Sequence, residues 1–195
     1  MASLYPAMKG KFGSTEYYAI TMKAKDVAKQ LVMPSKMPDW GDDDQGARVQ
    51  RKVNYDRVKK DIAPYLAHDE DRFFGALIVD VINADSLKFE ELSNVCSVSN
   101  VHELYQTASK TFGFLTFSGK EILVPLDGQH RLTAIQFALA GKDQKQKDIP
   151  GLDPNEDLAN DDVSLILIKH EQKTRNIFNK VHQRKESHLA RGTTP

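Results

Sequence analysis

Two apolar runs, Gly75–Ile82 and Val163–Ile168, constrain the fold of this chain more than any other feature of its sequence. Each has the length of a strand and is almost continuously apolar, which is typical of a strand covered on both faces. Helices can supply that cover, because Val58 and Leu66 lie on one face of a helix that Asn54 would cap. The pattern therefore predicts an α/β fold.

Composition narrows the class of protein. The 195 residues carry a formal net charge of zero, so binding of a polyanion would need local clusters of Lys and Arg. A single cysteine, Cys96, excludes an intramolecular disulfide and a cysteine-based metal cluster. No segment approaches the roughly twenty apolar residues of a membrane helix, and the N-terminus has no signal-peptide pattern. We expect a cytoplasmic protein with no membrane partner.

The chain is expected to form one domain with two appendages. The first residues contain proline and glycine without periodicity, so residues 1–16 are predicted to be a flexible N-terminal arm. A strand at Tyr17–Met22 would open the domain, which is expected to run from residue 17 to 185. Residues 186–195 are expected to be a polar tail, with a native and a truncated C-terminus as open alternatives.

The segment Asp127–Arg131 lies between a predicted strand and a predicted helix. Gly128 lets the backbone turn sharply, and the first N–H groups and the dipole of the helix attract anions. Gln129, His130 and Arg131 add an amide, an imidazole and a guanidinium within the same turn. The pattern predicts a phosphate-binding site.

Two roles for Asp127 stay open. As a helix N-cap it would accept hydrogen bonds from the amides near Gln129 and His130. As a ligand of Mg²⁺ it would bridge to phosphate oxygens through the metal. If a nucleotide is hydrolysed here, His130 or Asp127 is the candidate to orient water. The structural alternative is a capped helix with a salt bridge and no ligand.

The sequence Leu126–Ile135 resembles the signature of the DGQHR-domain family, which includes DndB-like proteins of DNA phosphorothioate and deazaguanine modification systems. That family in turn resembles the ParB/sulfiredoxin superfamily, so the resemblance implies a small mixed sheet flanked by helices and a Gly-x-x-Arg turn that holds nucleotide phosphates. The implied phosphate contacts are Gly128, Gln129, His130 and Arg131, with Arg51 and Arg57 as further neighbours. Gln129 stands where sulfiredoxin has its cysteine, so reductase chemistry is not expected.

The resemblance implies two alternative functions. One is ATP binding, with Mg²⁺ and with or without hydrolysis, in a protein that serves DNA modification. The other is a non-catalytic, DNA-binding transcriptional repressor of a DNA modification gene cluster. DNA and other DNA-modification proteins are the implied partners. The basic candidates for DNA contact are Lys180, Arg184 and Lys185, although such a run more often forms a solvated helix face.

Overall fold

The computed structural model describes residues 2–37, 53–96 and 102–171, and a mixed sheet of seven strands is the centre of this described part. The strands are β1 (Ser3–Phe12), β2 (Thr15–Lys23), β3 (Leu77–Ile82), β4 (Lys88–Glu91), β5 (Phe112–Phe117), β6 (Ile122–Asp127) and β7 (Asp162–Lys169). The helices are α1 (Ala24–Gln30), α2 (Tyr55–Arg57), α3 (Ala63–His68), α4 (Leu92–Val95), α5 (Glu103–Ala108) and α6 (Gln129–Ala140). Across the sheet the strand order is β4-β5-β1-β2-β7-β3-β6.

The two apolar runs lie side by side in the sheet as β3 and β7, the one parallel pair among the described strands. Leu77 pairs with Leu165 and Val79 with Leu167, and all four side chains are fully buried. The other pairings between described strands are antiparallel. A mixed sheet packed with helices confirms the predicted α/β (α+β) class, whereas the ParB/sulfiredoxin likeness stays a prediction.

The sheet is strongly curled. Strands β5 and β6 lie five places apart in the strand order, yet only residues 118–121 join them. Five strand spacings amount to about 24 Å, whereas the five peptide links from Phe117 to Ile122 span at most about 18 Å. The sheet therefore curls until its two edges approach each other, and the end of β6 lies at one of them.

Helix α6 packs on the sheet face that contains Leu77 and Leu165, where Leu132 and Ile135 are fully buried in the same apolar core. Helices α1 and α3 pack beside it. Between α2 and α3 the chain forms a wider, π-helical turn over Val58–Ile62. This turn precedes a proline near the start of α3, which lacks the N–H that a regular helix would use there.

The expected flexible arm at residues 1–16 was wrong, because Ser3–Phe12 is a strand in the middle of the sheet. Strand β1 pairs with both β2 and β5. Pro6, which argued against a strand, precedes the first β1 residue that pairs with β2, so its missing N–H leaves no ladder position unfilled on that side. The domain thus includes residues before 17.

Two predictions concern the C-terminal end of the chain, and one concerns membrane helices. The end of the domain at residue 185 and the tail at 186–195 lie outside the described residues. Among the helices that are described, none is long and apolar enough to cross a membrane.

Candidate functional site at the start of helix α6

Strand β6 ends at Asp127, and Gly128 turns the chain into α6 with φ +93° and ψ 17°. This left-handed conformation strongly favours glycine. The packing also requires glycine, because a Cβ at this position would lie 2.3 Å from Cδ2 of Leu77, a fully buried residue. Gly128 therefore packs the turn directly against the first residue of β3.

Asp127 does not cap the helix as expected. Gly128 occupies the N-cap position and has no side chain to cap with. Oδ1 of Asp127 instead accepts a hydrogen bond from the Gly128 N–H at 2.7 Å, and Oδ2 accepts one from Nη2 of Arg131 at 3.2 Å. The expected bonds to the amides near Gln129 and His130 are replaced by this arrangement because the carboxylate lies one residue too early. The carboxylate is half exposed.

Arg131 joins the turn to the segment before β3. Its Nη1 donates to the carbonyl oxygen of Gly75 and, at 3.1 Å, to that of Ala76. The guanidinium also bonds Asp127, so three of its five N–H groups have acceptors. Nε lies 3.4 Å from the point that a Cβ would occupy at Gly128, and it makes no hydrogen bond within the described part of the chain. Arg131 thus already has a structural role, with Nε facing the turn.

His130 fastens α2 to the same turn. Its Nε2 accepts a hydrogen bond from the Asn54 N–H at 3.0 Å, so a neutral His130 carries its proton on Nδ1. Asn54 caps α2 as predicted, since its Oδ1 accepts from the Arg57 N–H at 3.0 Å. Tyr55 stacks on Phe137 of α6, with ring centroids 6.3 Å apart. The helix that carries Arg57 therefore begins beside the predicted phosphate turn.

The structure brings most of the described site residues together. Gln129 follows Gly128 directly, and its Nε2 lies 3.5 Å from the Pro125 carbonyl oxygen, at the limit of a hydrogen bond. The Arg57 side chain is exposed. The remaining candidates lie outside the described residues: Arg51, Lys180, Arg184 and Lys185.

A magnesium ion at Asp127 would need ligands from the nucleotide and from water. No cluster of three or more His, Cys, Asp or Glu side chains suited to a metal occurs in the described ranges 2–37, 53–96 and 102–171. One half-exposed carboxylate plus phosphate oxygens is a common way of holding Mg²⁺, which binds through few protein ligands. The residues present fit such a shared site.

Sequence reasoning missed a second pair of ionisable side chains. Asp80 lies in β3 with no exposed surface, and its Oδ2 accepts from Nδ1 of His170, the residue that follows β7. The His170 N–H also donates to the carbonyl oxygen of Val81 at 3.0 Å. The one available signal was a lone aspartate inside an apolar strand, because buried carboxylates generally need a partner.

Comparison with known proteins identifies the family. The family model DndB, described as DNA-sulfur modification-associated, matches residues 5–189. No curated protein and no solved structure matched the chain. The family match extends far beyond the five-residue turn and includes nearly all of the sheet. The chain therefore belongs to the DndB family of DNA-sulfur modification-associated proteins.

Proposed function

We propose that this DndB-family protein binds a nucleotide, with ATP the expected one, by its phosphates at the first turn of α6. The supporting observation is a twelve-residue helix that opens with a left-handed glycine in place of a capping side chain, with Nε of Arg131 beside that glycine. Helix N–H groups and a guanidinium are the donors that recur around bound phosphate.

The local charge balance favours a magnesium complex over the bare nucleotide. Asp127 and Arg131 are ion-paired, so their charges largely cancel at the turn. The helix dipole adds only about half a positive charge. A triphosphate therefore needs further neutralisation, which Mg²⁺ held between Asp127 and the phosphate oxygens would supply. Arg57, on the helix that begins beside His130, is a further cation proposed for this role.

The arrangement supports binding more strongly than rapid hydrolysis. A general base needs an unprotonated nitrogen or oxygen that can reach water. Nε2 of His130 already accepts the Asn54 N–H, and the other ring nitrogen of the neutral imidazole is protonated. His130 is thus better suited to hold the site together than to activate water, which leaves Asp127 as the candidate for any slow turnover.

DNA binding by a repressor is the second candidate function, and a basic surface favours it. Lys59 and Lys60 follow Arg57 along the helix. The pKa of Asp143 is lowered, first by the Lys147 N–H and also by the charge of Lys59, so the helix and the loop near Lys147 lie within electrostatic reach. Phosphate contacts from the exposed Arg57, Lys60 and Lys147, together with the half-buried Lys59, would give a strongly salt-dependent affinity for DNA.

Calorimetric titration with Mg²⁺–ATP tests the leading proposal. Gln129→Glu places a carboxylate in the first turn of α6. There its negative charge interacts favourably with the helix dipole, so the helix is kept, but it repels phosphate. Binding should weaken about tenfold or more, as one repulsion of about 1.4 kcal/mol requires. The control is Gln144→Glu in an exposed loop, which makes the same change of charge.

The repressor function is tested by gel shift at several salt concentrations, with promoter DNA from the DNA modification gene cluster. Steeply salt-dependent DNA binding together with no heat from any Mg²⁺–nucleotide would reject nucleotide binding and favour the repressor. Equal ATP affinity in wild type and Gln129→Glu would instead move the nucleotide away from the α6 turn.

A further inference from the structure

Residues Arg72–Ala76, here called the strap, lead into β3 and are fixed at both ends. Nε of Arg72 donates to Oδ2 of Asp161 at 2.6 Å. At the other end, Arg131 holds the carbonyl oxygens of Gly75 and Ala76. The strap therefore connects the α6 turn to the start of β7 by side-chain bonds, although it contains no helix or strand.

The middle of the strap is held as firmly. The Tyr65 hydroxyl accepts from the Phe73 N–H at 2.7 Å and lies 3.2 Å from the Phe73 carbonyl oxygen, to which it can donate. The Tyr65 side chain thus binds both the N–H and the carbonyl group of Phe73. The Phe73 backbone has little freedom, so the direction of its Cα–Cβ bond is largely preset.

The Phe73 ring nevertheless lies in solvent. It is 82% exposed, and among the described large apolar side chains only Phe12, at the end of a hairpin, is more exposed. The adjacent Phe74 instead packs against the core. A rigid backbone that presents an aromatic ring to water forms a ready stacking surface, because little conformational entropy is lost when a flat ligand binds.

Among the described residues, the strap presents no side chain at Gly75 between Phe73 and the α6 turn. Gly75 lies between them along the strap, and only Nη1 of Arg131, at 3.7 Å, would come within 4 Å of a Cβ there. Two residues of extended chain cover about 7 Å. A ligand could therefore reach from the Arg131 guanidinium to the Phe73 ring across a surface that no strap side chain fills.

We propose that Phe73 is the stacking surface for a nucleobase whose phosphates lie at the α6 turn. Stacking on an aromatic ring tolerates any base, because every base has a π-face. The strap positions the ring through Tyr65 and Arg131, so one guanidinium serves both the phosphate end and the base end of the ligand. This inference rests on the proposed nucleotide function. It adds a binding surface for the nucleobase, which the α6 turn would not contact.

The test compares ATP with inorganic tripolyphosphate, both with Mg²⁺, by calorimetry. Wild type should bind ATP about tenfold more tightly than tripolyphosphate. Phe73→Ala should remove that difference without changing the affinity for tripolyphosphate, and Phe73→Trp should preserve it. Phe12→Ala, which removes an equally exposed ring elsewhere, is the matched control and should leave both affinities unchanged.

The outcomes separate the two proposals. Unchanged ATP affinity in Phe73→Ala, with tripolyphosphate still bound, would overturn the stacking role and leave the phosphate site intact. Failure of wild type to bind either compound would overturn both proposals. If Phe73→Ala weakened only a single-stranded oligodeoxynucleotide, the base would belong to DNA, and the mononucleotide assignment would be wrong.

Discussion

Asp127 and Asp80 lie on the neighbouring strands β6 and β3, and each is paired with a basic side chain, but the two pairs differ in almost every physical respect. The Asp127 side chain is 52% exposed, and its partner Arg131 follows four residues later in the same turn. The Asp80 side chain has no exposed surface, and its partner His170 is 90 residues away in the sequence.

The difference indicates which pair can change partners. An exposed ion pair contributes little to stability, so Asp127 and Arg131 can share their hydrogen bonds with an incoming ligand at small cost. A buried carboxylate that loses its partner is expensive to leave in the core, so Asp80 and His170 hold the sheet together at the end of β7. The contrast supports the proposal that the turn binds the ligand and that the buried pair has a structural role.

The largest expected effect comes from breaking the buried pair. His170→Ala leaves Asp80 without its imidazole partner and should lower the free energy of unfolding by about 3 kcal/mol. Asp127→Asn, which neutralises the carboxylate of the exposed pair, should cost less than about 1 kcal/mol. Urea denaturation of both variants measures the difference. Equal losses would show that burial does not distinguish the two pairs.

Next in size is the glycine that begins α6. Gly128→Ala places a Cβ against the buried Leu77 in a left-handed conformation and should cost about 2 kcal/mol or more. Gly13→Ala is the matched control, because Gly13 also has a positive φ of +59° but nothing within 4 Å of its Cβ position. The control should cost no more than about 1 kcal/mol. If thermal denaturation gave the same loss for both, the close packing at Gly128 would have no energetic role.

A smaller effect is expected at Arg131. Arg131→Lys keeps the charge but cannot hold the Gly75 and Ala76 carbonyls and Asp127 in one planar arrangement, and should cost about 1 kcal/mol. Arg57→Lys, on an exposed side chain, should change stability by less than about 0.5 kcal/mol. Hydrogen exchange should show faster opening of the strap in Arg131→Lys alone. Unchanged exchange there would remove the link between the strap and the turn.

An effect that depends on pH is expected at a third carboxylate, Glu121, which holds the β5–β6 connection through hydrogen bonds. Burial raises its pKa, but hydrogen bonds from the Ser118 N–H and the hydroxyls of Ser86 and Ser118 outweigh it and lower the pKa to about 2. Because the folded pKa lies below the unfolded value near 4.5, this contribution is complete above pH 4.5 and is lost as the pH falls toward 2. In Glu121→Gln that acid-dependent loss should be absent when stability is followed from pH 6 to 2. A curve parallel to that of wild type would contradict this role.

The parts of the molecule that were predictable depend on local signals. The strands β3 and β7 follow from continuous apolar runs. Helix α6 follows from apolar residues at helical spacing, such as Leu132 and Ile135, that end before Gly141, its observed C-cap. Strand β1 was missed because Pro6 and Gly10 interrupt its pattern. Its position inside the sheet also depends on pairing with β5, which is distant in sequence.

The site was predictable in the same uneven way. The residues at 127–131 share one turn, so their proximity follows from the sequence itself. The bonds from Arg131 to the strap carbonyls and from the Asn54 N–H to His130 involve backbone groups, which leave no trace in residue identity. The Asp80–His170 pair requires that β3 and β7 be parallel neighbours, a fact that neither strand contains on its own.

We propose above that the first turn of α6 binds the phosphates of a nucleotide. The most direct test of this proposal is a titration of isotopically labelled protein with Mg²⁺–ATP, followed by the backbone amide NMR signals and the Arg131 Nε–H signal. If the phosphates bind there, the largest shifts should occur at Gly128–Leu132 and at Arg131 Nε–H, with smaller shifts in the strap. Saturating Mg²⁺–ATP that leaves these signals unchanged would contradict the proposal.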